Sequence, residues 1–194
     1  PSYDAVLGYR RRTTPRRLCT SLYCRGVAVD LRNFMLGYDL RRIRERAHFL
    51  VKDAGFNAIY AFDLEQMEHL APIAGDDPEV FRRRRRRALE AMLAKMYDEE
   101  DVAFYDICGP SAHKLRVRTP TILFPLAVAE LDQGIAEKLV ETHFDRSNGF
   151  RVPLPIPSVE LQDPAFFAGE TPFLWRGPTW AFNNWFLFHA LKKR

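Results

Sequence analysis

Cysteine is scarce. Cys19, Cys24 and Cys108 are odd in number and show no CxxC spacing. This argues against a disulfide framework and predicts buried free thiols in a reducing, cytoplasmic setting. Histidine is equally uninformative as a ligand. Residues 48, 69, 113, 143 and 189 never fall at HxxxH or HExxH spacing, so no metal site and no cofactor are expected. No run approaches the roughly 18 consecutive apolar residues of a membrane helix, and no basic, apolar, small-residue series marks a signal peptide at the start. The chain begins at Pro1 without an initiator Met and reads as trimmed, so the missing signal says little about the parent protein. No short exact repeat is present, and no boundary divides the chain. Residues 1–194 are expected to form a single domain, itself a fragment of something larger.

What is present is mostly helical pattern. The 47% hydrophobic content is that of an ordinary globular domain, and the net charge of +4 is modest. The charge is uneven, with six arginines at 82–87. Such a run raises nucleic-acid binding as a partner class, but no aromatic residue interleaves with it to stack on bases. A solvated helix face is the plainer reading. Asp77 suits an N-cap, Pro78 the first helical position and Glu79 the positive end of a helix over 78–97. Phe81, Ala88, Leu89, Met92 and Met96 then make one apolar stripe. With a step of roughly 100° per residue, Arg85 lands in the middle of that stripe. It is expected to snorkel or to meet a carboxylate.

Elsewhere, Thr13, Thr14 and Pro15 signal a helix start, with apolar residues to Leu36 and a stop at Gly37. A shorter basic helix is expected within 39–52. Phe56, Tyr60, Leu64, Met67 and Ala71 recur at helical steps and predict a helix ending before Gly75. "VAFYDI" and "HKLRVRT" are short β-prone runs around "CGPSA", which predicts a hairpin near 103–118. Two more helices are expected over 121–130 and 132–143, broken near Asp132. The stretch 145–172 is rich in Pro, Gly and Asp and long for a loop, and such loops are often functional. A last helix starts near Pro178, with Thr179 assisting its cap. This helix is apolar nearly all round and should be buried on most sides, with Phe182, Trp185, Phe186 and a satisfied His189 in the core. The order of helix pairs predicts an all-α layered fold.

All three tryptophans lie five residues apart in "FLWRGPTWAFNNWFLFHAL", residues 173–191. Trp175, Arg176, Trp180 and Asn184 gather around a Gly-Pro turn at the mouth of the last helix. A sugar has apolar C–H faces and a rim of hydroxyls. Indoles fit the faces, while guanidinium and amide give directional hydrogen bonds to the rim. Buried structural roles explain the same composition about as well.

The stretch resembles the Trp-Arg-Gly-Pro-x-Trp segment of glycoside hydrolase family 63 and of the mannosylglycerate and glucosylglycerate hydrolases. "VPLPIPSVELQDPAF" is similar to the Pro-Ser loop that those enzymes place before it. "FNAIYAFDLEQMEHLA" resembles an Asn-Ala helix shared with trehalases, and "KMYDEEDVAFYDI" resembles their segment ending in Phe-Tyr-Asp. The four resemblances run in the family's order. This chain departs from the pattern at Phe182, at Phe56 and at "EEDVAF", which lacks a Gly. The resemblance implies a partial (α/α) six-hairpin toroid with the small β excursion at 103–118. It also implies a carbohydrate partner of the α-glucoside, mannosylglycerate or glucosylglycerate type. A substrate-binding role carries over to Trp175, Arg176, Trp180 and Asn184, and to Asn57 as a candidate for the same cavity.

Glycoside hydrolysis normally uses two carboxyl groups, held roughly 6.5–9.5 Å apart in inverting enzymes. The family resembled is inverting. Its acid is the Asp of a Gly-x-Asp-x-Ser-Pro-like motif, and "PSYD" at residues 1–4 resembles the tail of that motif. The acid is then expected just before Pro1, with Asp4 as a support, and the base after the last helix. Internal acids read as structural: Asp63, Glu65 and Glu68 as exposed or ion-paired, and Glu99, Glu100 and Asp101 as a solvated turn. No catalytic residue is therefore assigned within the chain. Two other readings compete: a nucleic-acid-binding helical module using Arg82–Arg87, and a non-catalytic helical scaffold or degenerate relative. Exposed apolar helix faces on a partial toroid imply a capacity for self-association.

Overall fold

The computed structural model describes residues 15–46, 49–145, 149–152, 156–166 and 176–194, with side chains at 15–22 and 145 left aside. Helix α1 spans Pro15–Met35 and α2 Leu40–Arg46. Strand β1 is Val51–Lys52, followed by α3, Ala54–Ala74, and α4, Pro78–Lys95. Strands β2 to β5 are Tyr97–Asp98, Ala103–Phe104, Asp106–Cys108 and His113–Leu115. A 3-10 helix, Pro120–Ala127, leads to α5, Gln133–Val140, and a π turn, Glu141–Asp145. The last helix, α6, is Ala181–Lys192.

The centre is the hairpin of α3 and α4. Asp53 caps α3 by accepting the Phe56 N–H at 2.7 Å, and Gly75 ends it at φ 79°. Asp77 then accepts the Glu79 N–H at 2.9 Å and starts α4. A turn this short makes the two helices antiparallel neighbours. Helix α3 buries Ala54, Ala58, Ala61, Leu64 and Ala71. Most of its larger apolar residues, Phe56, Tyr60, Met67 and Leu70, face outward. Its small inner face permits close approach. A Cβ on Gly55 would sit 2.8 Å from the Thr121 methyl. The 3-10 helix fills the space between α3 and α6, packs against both, and is buried along almost its whole length.

Arg85 occupies the position its sequence register demands. It is 6% exposed beside Leu89 and Met92. Its Nε donates to both Glu130 oxygens at 2.7 Å, and its Nη1 lies 2.6 Å from Glu68 Oε2, a close ion pair off the hydrogen-bond line. Arg82 also holds Glu68, at 2.7 Å. Burial pushes the Glu68 carboxyl up, but the two guanidiniums outweigh it and hold it below the usual range. Arg83, Arg84, Arg86 and Arg87 are exposed.

Several expectations need correction. The basic helix stops at Arg46, and residues 51–52 form a strand that pairs with β4, Val51 opposite Cys108. Segment 120–127 is 3-10 rather than α, with Pro120 and Pro125 lacking the N–H groups an α-helix uses. The last helix begins at Ala181. Thr179 bridges Pro157 instead, and no side chain caps the helix. Phe182, Trp185 and Phe188 are more than half exposed, and His189 is exposed beside the Trp185 ring. Only Phe186 of that group packs inward, with ring centroids 4.4 Å from Phe124 and 5.9 Å from Phe62. Cys24 is exposed and Cys108 half-buried, so neither is the core thiol expected, and the Cys19 side chain lies outside the described residues. The hairpin near 103–118 is present as β4–β5, turning through Gly109 at φ 68°. It joins a three-stranded antiparallel sheet with β1, and β2 and β3 form a second pair.

Candidate functional site

The sheet and the N-terminus of α3 meet at Asp106. Tyr105, on its N-terminal side, is buried, and its hydroxyl donates to Asp101 at 2.9 Å. Asp106 accepts the Ala54 N–H, the first of α3, at 2.7 Å. A helix N-terminus favours a carboxylate, yet burial dominates here. Burial, and then the nearby Asp53 carboxylate, push the Asp106 carboxyl up to about 6, against the opposing Ala54 hydrogen bond. Asp106 thus holds its proton to higher pH than an exposed carboxyl does.

Asp106 lines a cavity of about 190 Å³ with Leu115, Val117, Thr119, Val159, Ala165 and Arg176. This is smaller than the roughly 300–1,000 Å³ typical of drug-sized ligand sites. Its walls are mainly apolar, with a carboxyl, a hydroxyl and a guanidinium as polar groups. These groups can hydrogen-bond a small polar ligand held against apolar walls.

The sequence-predicted residues distribute unequally around this cavity. Arg176 is in its wall. Trp180 is half-buried at the N-cap of α6, its ring centroid 6.5 Å from that of Phe182. The Asn184 side-chain amide donates to the Trp180 carbonyl at 3.2 Å, a bond within the first turn of α6. Asn57 donates to the Asp53 carbonyl at 2.7 Å, one turn into the helix whose start holds Asp106. Trp180, Asn184 and Asn57 are not among the residues lining the cavity. Trp175 lies outside the described residues. Sequence reasoning passed over Asp106 and Thr119. A signal for Asp106 was present in "AFYDI": the carboxylate stands between buried Tyr105 and Ile107 and is itself half-buried.

The description "mannosylglycerate hydrolase MGH1-like glycoside hydrolase domain" matches residues 1–194. The chain belongs to this family. It is similar to a mannosylglycerate hydrolase of Rubrobacter radiotolerans, 29% identical over 160 residues, covering 80% of this chain and 35% of that protein. It is also similar to the family 63 mannosylglycerate hydrolase of Thermus thermophilus. The structure in complex with glucose superposes at TM-score 0.79 and 26% identity, over 98% of this chain and 48% of that one. The structure with Tris and D-glycerate gives 0.75 and 26%, over 89% and 41%. A neutral trehalase of Saccharomyces cerevisiae, at TM-score 0.62 and 13% identity over 74% of this chain, shares the fold alone. The fold of this family member is a partial (α/α) toroid carrying small antiparallel sheets. The chain spans about a third to a half of the length of the mannosylglycerate hydrolases it matches.

Proposed function

We propose that the chain supplies the sugar-binding wall of an inverting glycoside hydrolase acting on α-linked glucosides or glycosylglycerates. Residues 1–194 act as one domain of a larger (α/α) toroid, and the acid and base come from segments of the polypeptide outside these residues. The observation that carries this reading is the convergence of Arg176 and Asp106 on one small cavity with apolar walls. The Arg176 guanidinium has N–H groups enough to reach a hydroxyl or carboxylate oxygen beyond its own contacts. The Thr119 hydroxyl, 2.7 Å from Thr121 Oγ1, keeps acceptor capacity, and Asp106 takes or gives a proton in a hydrogen bond. A substrate-contacting role for Trp175, Trp180, Asn184 and Asn57 rests on the family motif, and the last three lie beyond the lining of this cavity. The glucose and D-glycerate complexes of the Thermus relative support a ligand with one sugar and one small acid part. The free thiols of Cys24 and Cys108 support a reducing, cytoplasmic setting.

The test is ligand-detected NMR on the 194-residue chain with glucose, D-glycerate, mannosylglycerate and glucosylglycerate. Weak binding is expected, on the order of millimolar, or ~4 kcal/mol, and Arg176→Ala removes it. Hydrolysis is not expected. Release of mannose or glucose that disappears in Asp106→Asn would overturn the assignment of acid and base to other segments. Absence of saturation transfer from every one of the four ligands would overturn the wall itself.

A further inference from the structure

The cavity walls come from three separated stretches, 115–119, 159–165 and residue 176, together with Asp106. What joins them lies behind the walls. Val117 and Thr119 face the cavity, and Arg118 between them turns to the loop instead, as alternation along extended chain allows. The Arg118 Nε sits 2.8 Å from Glu160 Oε2, an ion pair off the hydrogen-bond line, and 3.7 Å from Asp163 Oδ2. The same residue engages the loop through its backbone. Its N–H donates to Asp163 Oδ2 at 2.9 Å, and its carbonyl accepts the Glu160 N–H at 2.7 Å.

Both acids are buried, with Glu160 at 6% exposed, and each neighbours a cavity residue. Val159 directly precedes Glu160. Asp163 Oδ1 accepts the Ala165 N–H at 2.7 Å. Behind Glu160 stands His143, its Nδ1 3.8 Å from Glu160 Oε2 and its Nε2 2.9 Å from the Val102 carbonyl. Two buried carboxylates against one guanidinium and a histidine are a costly way to fill space. Apolar side chains of similar size would stabilise at least as well. What the charges add is direction.

That direction passes to the Arg176 segment through Ser158. The Ser158 N–H donates to the Pro178 carbonyl at 3.0 Å, and its Oγ accepts the Gly177 N–H at 2.8 Å. Pro157 and Thr179 form an antiparallel bridge beside these bonds. Residues 157–158 therefore hold both sides of the turn between Arg176 and Trp180.

We propose that Glu160, anchored on Arg118, is a positioning residue: it fixes segment 157–160 so that Ser158 sets the Arg176–Trp180 turn against the cavity. Glu160 is not in the cavity lining and acts through its neighbours. The use of that turn for sugar rests on the function proposed above; the mechanical coupling does not.

The coupling is tested by fluorine NMR of the chain labelled with 5-fluorotryptophan, which gives one resonance for each of the three tryptophans. Single Trp→Phe variants assign them. Trp180 reports on the turn, and Trp185, 63% exposed on α6, serves as the internal control in spectra recorded at a concentration where sedimentation shows the monomer. In Glu160→Gln the Trp180 resonance is expected to shift or broaden by more than its linewidth while that of Trp185 stays in place. Ser158→Ala, which removes one hydroxyl and keeps the fold if the charge change does not, is expected to act on the same resonance. Arg118→Lys, retaining the charge, is expected to restore part of the wild-type position relative to Arg118→Met. An unmoved Trp180 resonance in Glu160→Gln and Ser158→Ala overturns the proposal, and so does joint movement of Trp180 and Trp185. Titrating glucose into the wild type keeps the two ideas separate. A silent titration alongside a responsive Glu160→Gln counts against the sugar pocket and leaves the coupling standing.

Discussion

Asp106 illustrates how one residue's charge state follows from its surroundings. A carboxyl raised to about 6, from an ordinary 3.8, binds its proton more tightly in the folded state than in the unfolded chain. Stability from this group is therefore fully present below pH ~4 and is lost as pH rises toward ~6. The difference is about 2 pH units, or about 3 kcal/mol at roughly 1.36 kcal/mol per unit. In Asp106→Asn the Ala54 N–H keeps an acceptor but no charge is buried. Urea denaturation at pH 4, 5, 6 and 7 should show the variant gaining on the wild type by up to about 3 kcal/mol between pH 4 and pH 7. A constant difference across that range would place Asp106 in contact with water in solution. Arg85 shows the opposite case. Its burial was legible because six consecutive arginines cannot all avoid an apolar stripe, and its partners Glu68 and Glu130 satisfy it. The identity of those partners was not legible, since they lie 17 and 45 residues away and only packing brings them together.

At the scale of elements, caps and periodicity carried most of the information. Asp77, Pro78 and Gly75 fixed the α3–α4 hairpin because each acts on backbone groups within a few residues. What local signals could not show was pairing across distance. Strand β1 exists because β4 offers it an edge, and nothing between residues 39 and 52 announces that. The face of a helix was similarly hidden. On α3 the alanines, not the large apolar residues, form the buried side. The π turn at 141–145 is another local departure, and Gly149 packs directly against it. A Cβ at Gly149 would lie 2.2 Å from the His143 carbonyl oxygen, a backbone atom that cannot swing aside, while Phe150 N–H donates to that same oxygen at 2.9 Å. Gly149→Ala should therefore break this hydrogen bond and displace His143, costing about 2–3 kcal/mol. Chemical denaturation measures the loss, and amide exchange at Phe150 should accelerate. At Gly55 the obstructing atom is the Thr121 methyl, a side chain able to give way, so Gly55→Ala should cost less.

Among the described residues, large apolar side chains stand exposed along the outer faces of three helices. Phe56, Tyr60, Met67 and Leu70 recur at three- to seven-residue steps along the outer side of α3, and Phe182, Trp185 and Phe188 project from α6. Tyr23, Val27, Leu31 and Phe34 do the same on α1. The residues facing the 3-10 helix from α3 and α6 are buried as a normal core is, so the exposure belongs to the far faces and not to loose packing. Helical toroids bury such faces against further helices, and a face without one associates with whatever apolar surface it meets. We propose that the 194-residue chain self-associates through these faces; sedimentation velocity across a concentration series should then show an average mass that rises with concentration. The arginines argue that this association is hydrophobic rather than ionic. Arg83, Arg84, Arg86 and Arg87 lie exposed on α4, so like-charged surfaces repel, and added salt should strengthen the association by screening them. Paired substitution of Phe182 and Trp185 by serine should lower the mass toward the 22.6 kDa monomer without loss of helical signal. These side chains already stand in water, and removing them takes little from the core. An unchanged mass distribution in that variant would move the contact to α1 or α3, and weakening by salt would point instead to ion pairing.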